Sequence, residues 1–239
     1  MTIMERQTMN ETLRAVLAGC GGISRTWLSA AAKMDHLEIV GLVDTNPEAA
    51  RQRQGEFSLT EARIGTDLSE ALRETNPDVV FDCTVPEAHV NITLTALRHG
   101  CHVLGEKPLA DTLENARLML EAADNAGKIY AVMQNRRHQK EIRALAACLS
   151  SGRLGAPTTL HCDFFIGAHF GGFRDTMKHV LLLDMAIHTF DAARLISGAD
   201  PVSVYCKEWN PSGSWYAQDA SAVAIFQMTN GIVYTYRGS

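Results

Sequence analysis

The chain has 239 residues, 46% hydrophobic and 21% charged, with a formal charge of −5 at neutral pH. That composition supplies one large or two modest cores, and the acidic balance leaves no basic footprint for nucleic acid. No apolar run reaches bilayer-spanning length. Met1 to Gln7 lacks the apolar centre of a signal peptide, so residues 1–12 are read as a loose leader. Six scattered cysteines form no Cys-x-x-Cys pair, and four lie in or beside apolar runs, pointing to buried thiols in a reducing, cytoplasmic setting.

The first predicted strand, Leu13 to Ala18, breaks at Gly19 and passes Gly21 and Gly22 into residues of helical spacing from Ser24. Gly19-x-Gly21-x-x-Ser24 approximates the dinucleotide fingerprint G-x-G-x-x-G/A. Gly19 permits the sharp bend, Gly21 removes a Cβ that would hold off a pyrophosphate, and small Ser24 lets helix and strand lie close. Amides of the first helical turn, at the positive end of the dipole, suit the phosphates. The second strand, Leu37 to Val43, ends at Asp44-Thr45. A carboxylate there accepts from a ribose 2′-hydroxyl and repels a 2′-phosphate, which favours NAD over NADP. The competing reading makes Asp44 the cap of the helix starting at Pro47.

Further along, a helix to Gly55, a short strand at 62–65, a helix with a capped start at Thr66-Asp67-Leu68-Ser69-Glu70 running through Thr75 and a strand over 78–84 are expected. A helix from Glu87 to His99, a strand over 101–105, a helix over 112–125 and a strand over 128–133 complete the alternation. Alternating strands and helices imply parallel pairing through right-handed crossovers, hence a doubly wound α/β domain over residues 13–135. Residues 136–239 change character: a helix at 140–150, a strand at 158–165, a Gly- and Phe-bearing loop at 167–175, a helix at 181–197, then three strands with Thr229-Asn230-Gly231 as a hairpin turn. This is an α+β domain with a largely antiparallel sheet.

Open parallel sheets bind ligands beyond the carboxyl ends of their strands, and Thr84-Val85-Pro86 and Glu106-Lys107-Pro108 leave strands there. Lys107 suits stabilising a negative charge developing on a substrate oxygen; alternatively Glu106 and Lys107 form a solvated surface pair. In the second domain, Asp184 and His188 share a helix face at i and i+4, the arrangement that orients an imidazole as a general base. A core histidine satisfied by Asp184 is the bland alternative, and Asp191 one turn on suggests a polar seam. A metal site of His179, Asp184 and His188 lacks ligand spacing, and none is expected. No nucleophile motif is present, and the loop at Gly167 to Gly172 reads as a mobile rim rather than a phosphate cradle.

Gly19-Cys20-Gly21-Gly22-Ile23-Ser24, Asp82-Cys83-Thr84-Val85-Pro86-Glu87-Ala88-His89, Glu106-Lys107-Pro108 and Asp184-x-x-x-His188, in this order, resemble the glucose-fructose oxidoreductase/inositol dehydrogenase (Gfo/Idh/MocA) family. The resemblance implies that Lys107 contacts the reacting hydroxyl and the nicotinamide, that His188 is the acid/base, and that Asp184 is its partner. Gly19, Cys20, Gly21, Gly22, Ile23, Ser24, Asp44, Thr45, Thr84, Val85, Pro86, His89, Glu106 and Lys107 would hold the cofactor. Asn135, Arg136, Asp175, Lys178 and His179 fall where substrate contacts are expected. Two departures stand out. Met177-Lys178-His179 replaces a glycine cluster usual before the Asp-bearing helix, and the chain stops at Ser239 where members continue, which suggests a shortened gene product.

The expected activity is NAD(P)-dependent oxidation or reduction at a hydroxyl carbon of a sugar, polyol or related molecule, with self-association through the second sheet. Two alternatives remain: a hydrolase or lyase that oxidises its sugar transiently, and a non-catalytic metabolite-binding regulator.

Overall fold

The computed structural model describes residues 12–239, so the leader, Thr12 apart, lies outside the described residues. The chain divides into two compact units, with the break between Met133 and Gln134.

In the first unit, β1 (Leu13–Ala18), β2 (Leu37–Val43), β3 (Arg63–Gly65), β4 (Val79–Asp82), β5 (His102–Gly105) and β6 (Tyr130–Val132) form one sheet in the order β3-β2-β1-β4-β5-β6. Every pairing is parallel. Successive side chains of β1 feed two cores. Val16 and Ala18 pack with residues of helices Leu68–Thr75, His89–Arg98 and Leu113–Ala126, while Ala15 and Leu17 pack with those of Ser24–Ala31 and Pro47–Glu56. Burial on both faces explains why these strands read as unbroken apolar runs; each buried Val or Leu contributes roughly 1.5–3 kcal/mol.

Three helix starts follow short polar side chains. Asn46 Oδ1 accepts from Glu48 N, Asp67 Oδ1 from Glu70 N and Thr112 Oγ1 from Asn115 N. The cap at Pro47 is therefore Asn46 and not Asp44. The strand order turns back between β1 and β4, which creates the crevice at the switch point.

In the second unit, β7 (Thr159–Phe164), β8 (Pro201–Trp209), β9 (Ser221–Met228) and β10 (Val233–Gly238) are ordered β7-β10-β9-β8. β10 runs parallel to β7, and the other pairings are antiparallel. Leu181, Ala186 and Ala193 cover one face together with Ala222, Ala224, Tyr234 and Tyr236. Phe190 meets Phe226 and Tyr236 edge-on at 5.1 and 5.2 Å. Helix Lys140–Ser150 packs on helix Ile187–Ser197. The stretch expected to be one helix from Leu181 opens with a π-helical turn, Leu181–Ala186, before becoming α-helical.

Candidate active site

Gly19 has φ +88°, and a Cβ on it would lie 2.6 Å from the carbonyl atoms of Cys83 and 2.7 Å from Thr84 N. Glycine alone lets the tips of β1 and β4 approach this closely. At Gly21 and Gly22 a Cβ would meet nothing within 4 Å. That open room adjoins the start of helix Ser24–Ala31, where Ile23 supplies no side-chain cap, so first-turn amides can serve an anion.

Ser24 is small, as expected, and it also ties the turn: its Oγ donates to Gly21 O at 2.6 Å and accepts from Arg53 Nε at 2.9 Å. Arg53 Nη2 also donates to Gly21 O at 3.1 Å. Sequence reasoning missed Arg53, because a charged residue on a polar helix looks solvated; here it is only 6% exposed.

Asp44 Oδ2 accepts from Cys20 N at 2.7 Å and Oδ1 from Asn46 N at 2.8 Å. Each oxygen keeps acceptor capacity for a ribose hydroxyl. Exposed Thr45 follows it. The Cys20 thiol is buried, and burial, with help from the Asp44 charge, pushes it up to about 12. Cys20 thus offers the turn its backbone N–H rather than a reactive sulfur.

At the tip of β4, Asp82 is 1% exposed and its Oδ1 accepts from Thr84 N at 3.1 Å and Thr84 Oγ1 at 2.6 Å. Burial raises this carboxyl even though His89 and the Thr84 bonds pull the other way. Ile23 and Val85 stay 43% and 45% exposed, apolar side chains left at two strand tips. Pro86 is buried at the start of a short 3₁₀ turn. His89, expected to line the cofactor, is 1% exposed, with Nδ1 3.0 Å from Pro108 O and Nε2 3.2 Å from Thr84 O. Its ring ties the loops after β4 and β5 together.

The solvated-pair reading of Glu106 and Lys107 fails. Glu106 Oε1 accepts from Trp27 Nε1 at 2.7 Å, Oε2 accepts from Lys107 N at 3.1 Å, and Glu106 N donates to Asp82 O at 2.8 Å. After the cis Lys107–Pro108 bond, Leu109 O accepts from Tyr130 Oη at 3.1 Å. Lys107 is half-buried on a turn fastened on both sides of it.

In the second unit, Asp184 lies in the π-helical turn and His188 in the α-helix after it, 1% and 7% exposed. π-helical turns are frequent at functional sites. Arg174 grips Asp184 through Nε–Oδ2 at 2.6 Å and Nη2–Oδ1 at 3.3 Å, with its guanidinium 4.5 Å over the Phe173 ring. No sequence spacing selected Arg174. Asp191 pairs with Arg137 at 3.3 Å and joins two local segments rather than extending a polar seam.

Among the remaining candidates, Asn135 is exposed and the Arg136 guanidinium lies 5.6 Å over Phe164. Asp175 Oδ1 lies 2.7 Å from His169 Nε2, and Lys178 is exposed. Exposed His179 has φ +54° and its Nδ1 lies 2.7 Å from Glu208 Oε2. Where the resemblance leads one to look for glycine, the left-handed backbone is kept on a histidine. His179 does not gather with Asp184 and His188; its ligating atom groups with those of Glu208 and Asp219, all within 4.8 Å of one another. Gly171 caps and Gly172 begins a short 3₁₀ turn, both at positive φ, so that loop opens no α-helix.

A parallel sheet with a glycine bend at its switch point, an acid at the second strand tip and open room over the bend defines a dinucleotide-binding unit. Residues 13–134 match the family model described as an oxidoreductase family with NAD-binding Rossmann fold, and residues 142–239 match the GFO/IDH/MocA C-terminal domain. The chain belongs to the Gfo/Idh/MocA family.

It is 32% identical over 193 residues to 1,5-anhydro-D-fructose reductase of Ensifer adhaerens, covering 77% of this chain and 56% of that protein. It is 30% identical over 229 residues to inositol 2-dehydrogenase of Burkholderia cenocepacia, covering 92% and 65%. An oxidoreductase from Agrobacterium radiobacter, solved with NAD⁺, L-tartaric acid and magnesium, shares the fold with a TM-score of 0.88 at 24% identity, covering 94% and 66%. The chain spans between half and two thirds of the length of the first curated relatives it matches. No helix among the described residues is long and apolar enough to cross a membrane.

Proposed function

We propose that this chain is an NAD-dependent oxidoreductase acting on a hydroxyl carbon of a sugar, polyol or related cyclic alcohol. The observation that carries it is the fastening of the Lys107 turn: Trp27 holds Glu106, His89 meets Pro108 O and Tyr130 holds Leu109 O, all in the unit whose glycine bend stays open at Gly21 and Gly22. An ammonium on so constrained a turn suits a pre-organised electrostatic role.

A bound nicotinamide supplies the acceptor for the electron pair leaving the carbon. Gly19 to Ser24, with Asp44 and Thr45, bind the dinucleotide; Thr84, Val85, Pro86 and Glu106 form the walls. His188 removes the hydroxyl proton as a neutral imidazole, a contribution of roughly 10²- to 10⁴-fold in rate. Asp184 holds that imidazole in its working state, and Lys107 steadies the alkoxide oxygen. Asn135, Arg136, Asp175, Lys178 and His179 are assigned to substrate recognition. The substrate class is supported by relatives named for anhydrofructose, inositol and D-glucoside chemistry.

Self-association belongs to the same reading. Tyr205 and Ile225 are register partners on one sheet face and are 72% and 47% exposed, with Val223 beside them at 37%. A cytoplasmic address suits six free cysteines, three of them buried.

Replacing Lys107 by Ala tests the function directly. Turnover of a sugar or polyol should fall at least a hundredfold, while NAD affinity, measured by calorimetry, stays within about twofold. An undiminished kcat overturns the assignment.

A further inference from the structure

The second unit contains a cavity of about 230 Å³ whose lining shares only Asp184 with the residues given a role above. Its lining includes three aromatic rings, Phe170, Trp215 and Tyr216, and the polar groups of Asp184, Ser212 and Ser214. Trp215 is 48% exposed and Phe170 51%. An indole that lines a cavity with half its surface open offers a ring-sized apolar face to a ligand.

This indole is also braced. His169 stacks on it with centroids 5.1 Å apart and planes 27° apart, and His169 is itself anchored to Asp175 at 2.7 Å. The loop carrying Trp215 is closed by Asn210 Nδ2 donating to Tyr216 O at 2.9 Å, and Ala217 N donates to Asp175 O at 2.8 Å. One indole face is taken by His169 while the ring still lines the cavity, so Trp215 is a rigid platform.

The volume lies below the roughly 300–1,000 Å³ typical of drug-sized ligands, which suits a single ring. A six-membered sugar or cyclitol offers a flat patch of C–H groups to an aromatic face and a rim of hydroxyls to carboxylate and serine oxygens. An acyclic polyol has no such patch and must lose several torsions on binding.

We propose that Trp215 is a specificity-determining platform that selects pyranose or cyclitol rings over acyclic polyols, a proposal that rests on the sugar-oxidoreductase reading for its substrate class. Ser212 and Ser214 meet the ring hydroxyls beside the Asp184 carboxylate that Arg174 holds in place, and the C–H face lies on the indole.

The test is calorimetric titration of the whole chain, without cofactor, by methyl β-D-glucopyranoside, myo-inositol and D-glucitol, followed by KM and kcat for whichever is oxidised. At least one cyclic probe should bind tenfold or more tighter than D-glucitol. Trp215→Leu should abolish that preference and raise KM at least tenfold with kcat within twofold. Trp215→Phe, a smaller platform, should fall between, and it decides the matter if the Leu variant fails to fold. Trp209→Phe should leave binding unchanged.

Equal binding of D-glucitol, no binding of any probe, or unchanged affinity in a folded Trp215 variant would overturn the platform. Cyclic-alcohol oxidation with an unaltered KM in Trp215→Leu removes the platform and keeps the oxidoreductase. Normal turnover in Lys107→Ala does the reverse, with ring binding intact.

Discussion

At Gly19 the backbone permits no substitute, because any Cβ would strike the main chain of Cys83 and Thr84. At Arg174 and Asp184 the geometry depends wholly on two side chains meeting. The same contrast runs through both units. Around the glycine bend and the Lys107 turn, main-chain groups supply at least one partner of most bonds, Trp27–Glu106, Arg53–Ser24 and Thr84–Asp82 being side-chain pairs. In the second unit Arg174–Asp184, His169–Asp175 and His179–Glu208 are side-chain pairs. Main-chain geometry tolerates sequence change while preserving shape, which suits a ligand shared by many proteins. Side-chain pairs can be exchanged singly, which suits a ligand that differs among relatives.

The sharpest way to break this contrast lies within the bend. Gly19→Ala should destabilise the first unit by about 3 kcal/mol or more, since φ +88° and contacts of 2.6–2.7 Å to backbone leave nothing that can yield. Gly21→Ala, whose methyl meets open space, should shift stability by less than about 0.5 kcal/mol. On the proposed cofactor site it should nevertheless weaken NAD binding, because the methyl would take room left for the pyrophosphate. Thermal melts with NAD titrations check both; equal melting temperatures for the two variants would end the argument.

On the side-chain half, Arg174→Ala leaves the buried Asp184 carboxylate without its guanidinium, at a cost of about 2–4 kcal/mol in urea unfolding. The double variant Arg174→Met with Asp184→Leu should recover part of it, since removing both charges avoids a poorly compensated one. A double variant no better than Arg174→Ala would show that the pair is not the main tie.

How much of this was legible follows the same division. The doubly wound sheet and the glycine bend could be read because their causes are local: apolar runs, caps and a required φ recur at fixed spacing. The positions of Asp184 and His188 were legible for the same reason, as a helical interval. Arg53 and Arg174 were not, since each acts on a segment ten or more residues away and carries no local periodicity. The motif gives the neighbourhood of His89, but the two carbonyls its ring meets come from packing between two loops, which no spacing encodes.

His89→Ala is therefore informative about the Lys107 turn. It leaves the buried carbonyls of Thr84 and Pro108 without the ring nitrogens, which should cost about 1–3 kcal/mol. The urea midpoint should fall with the m-value unchanged. A variant as stable as the parent would mean that Trp27 and Tyr130 hold the turn by themselves.

The mildest probe uses thiols and leaves the sequence untouched. Burial pushes Cys20 up to about 12 and Cys101 to about 11 from an ordinary value near 9, and it raises Cys83 as well. At pH 8 Cys20 then holds about a thousandfold less thiolate than an ordinary cysteine. Exposed Cys148 should react first with a thiol reagent, Cys206 more slowly, and the three buried thiols of the first unit only after that unit opens. The raised values also fix a sign. Below pH 9 folded and unfolded thiols are both protonated; between about 9 and 12 the unfolded chain loses protons that Cys20 keeps, so stability must decline with rising pH across that window. Labelling at increasing urea separates the units, because Cys20, Cys83 and Cys101 report the first and half-buried Cys162 the second. If Cys162 becomes reactive at lower urea than the other three, the side-chain-tied unit is the weaker one, and the contrast between main-chain and side-chain fastening acquires a thermodynamic measure; simultaneous exposure would reduce it to a difference in geometry.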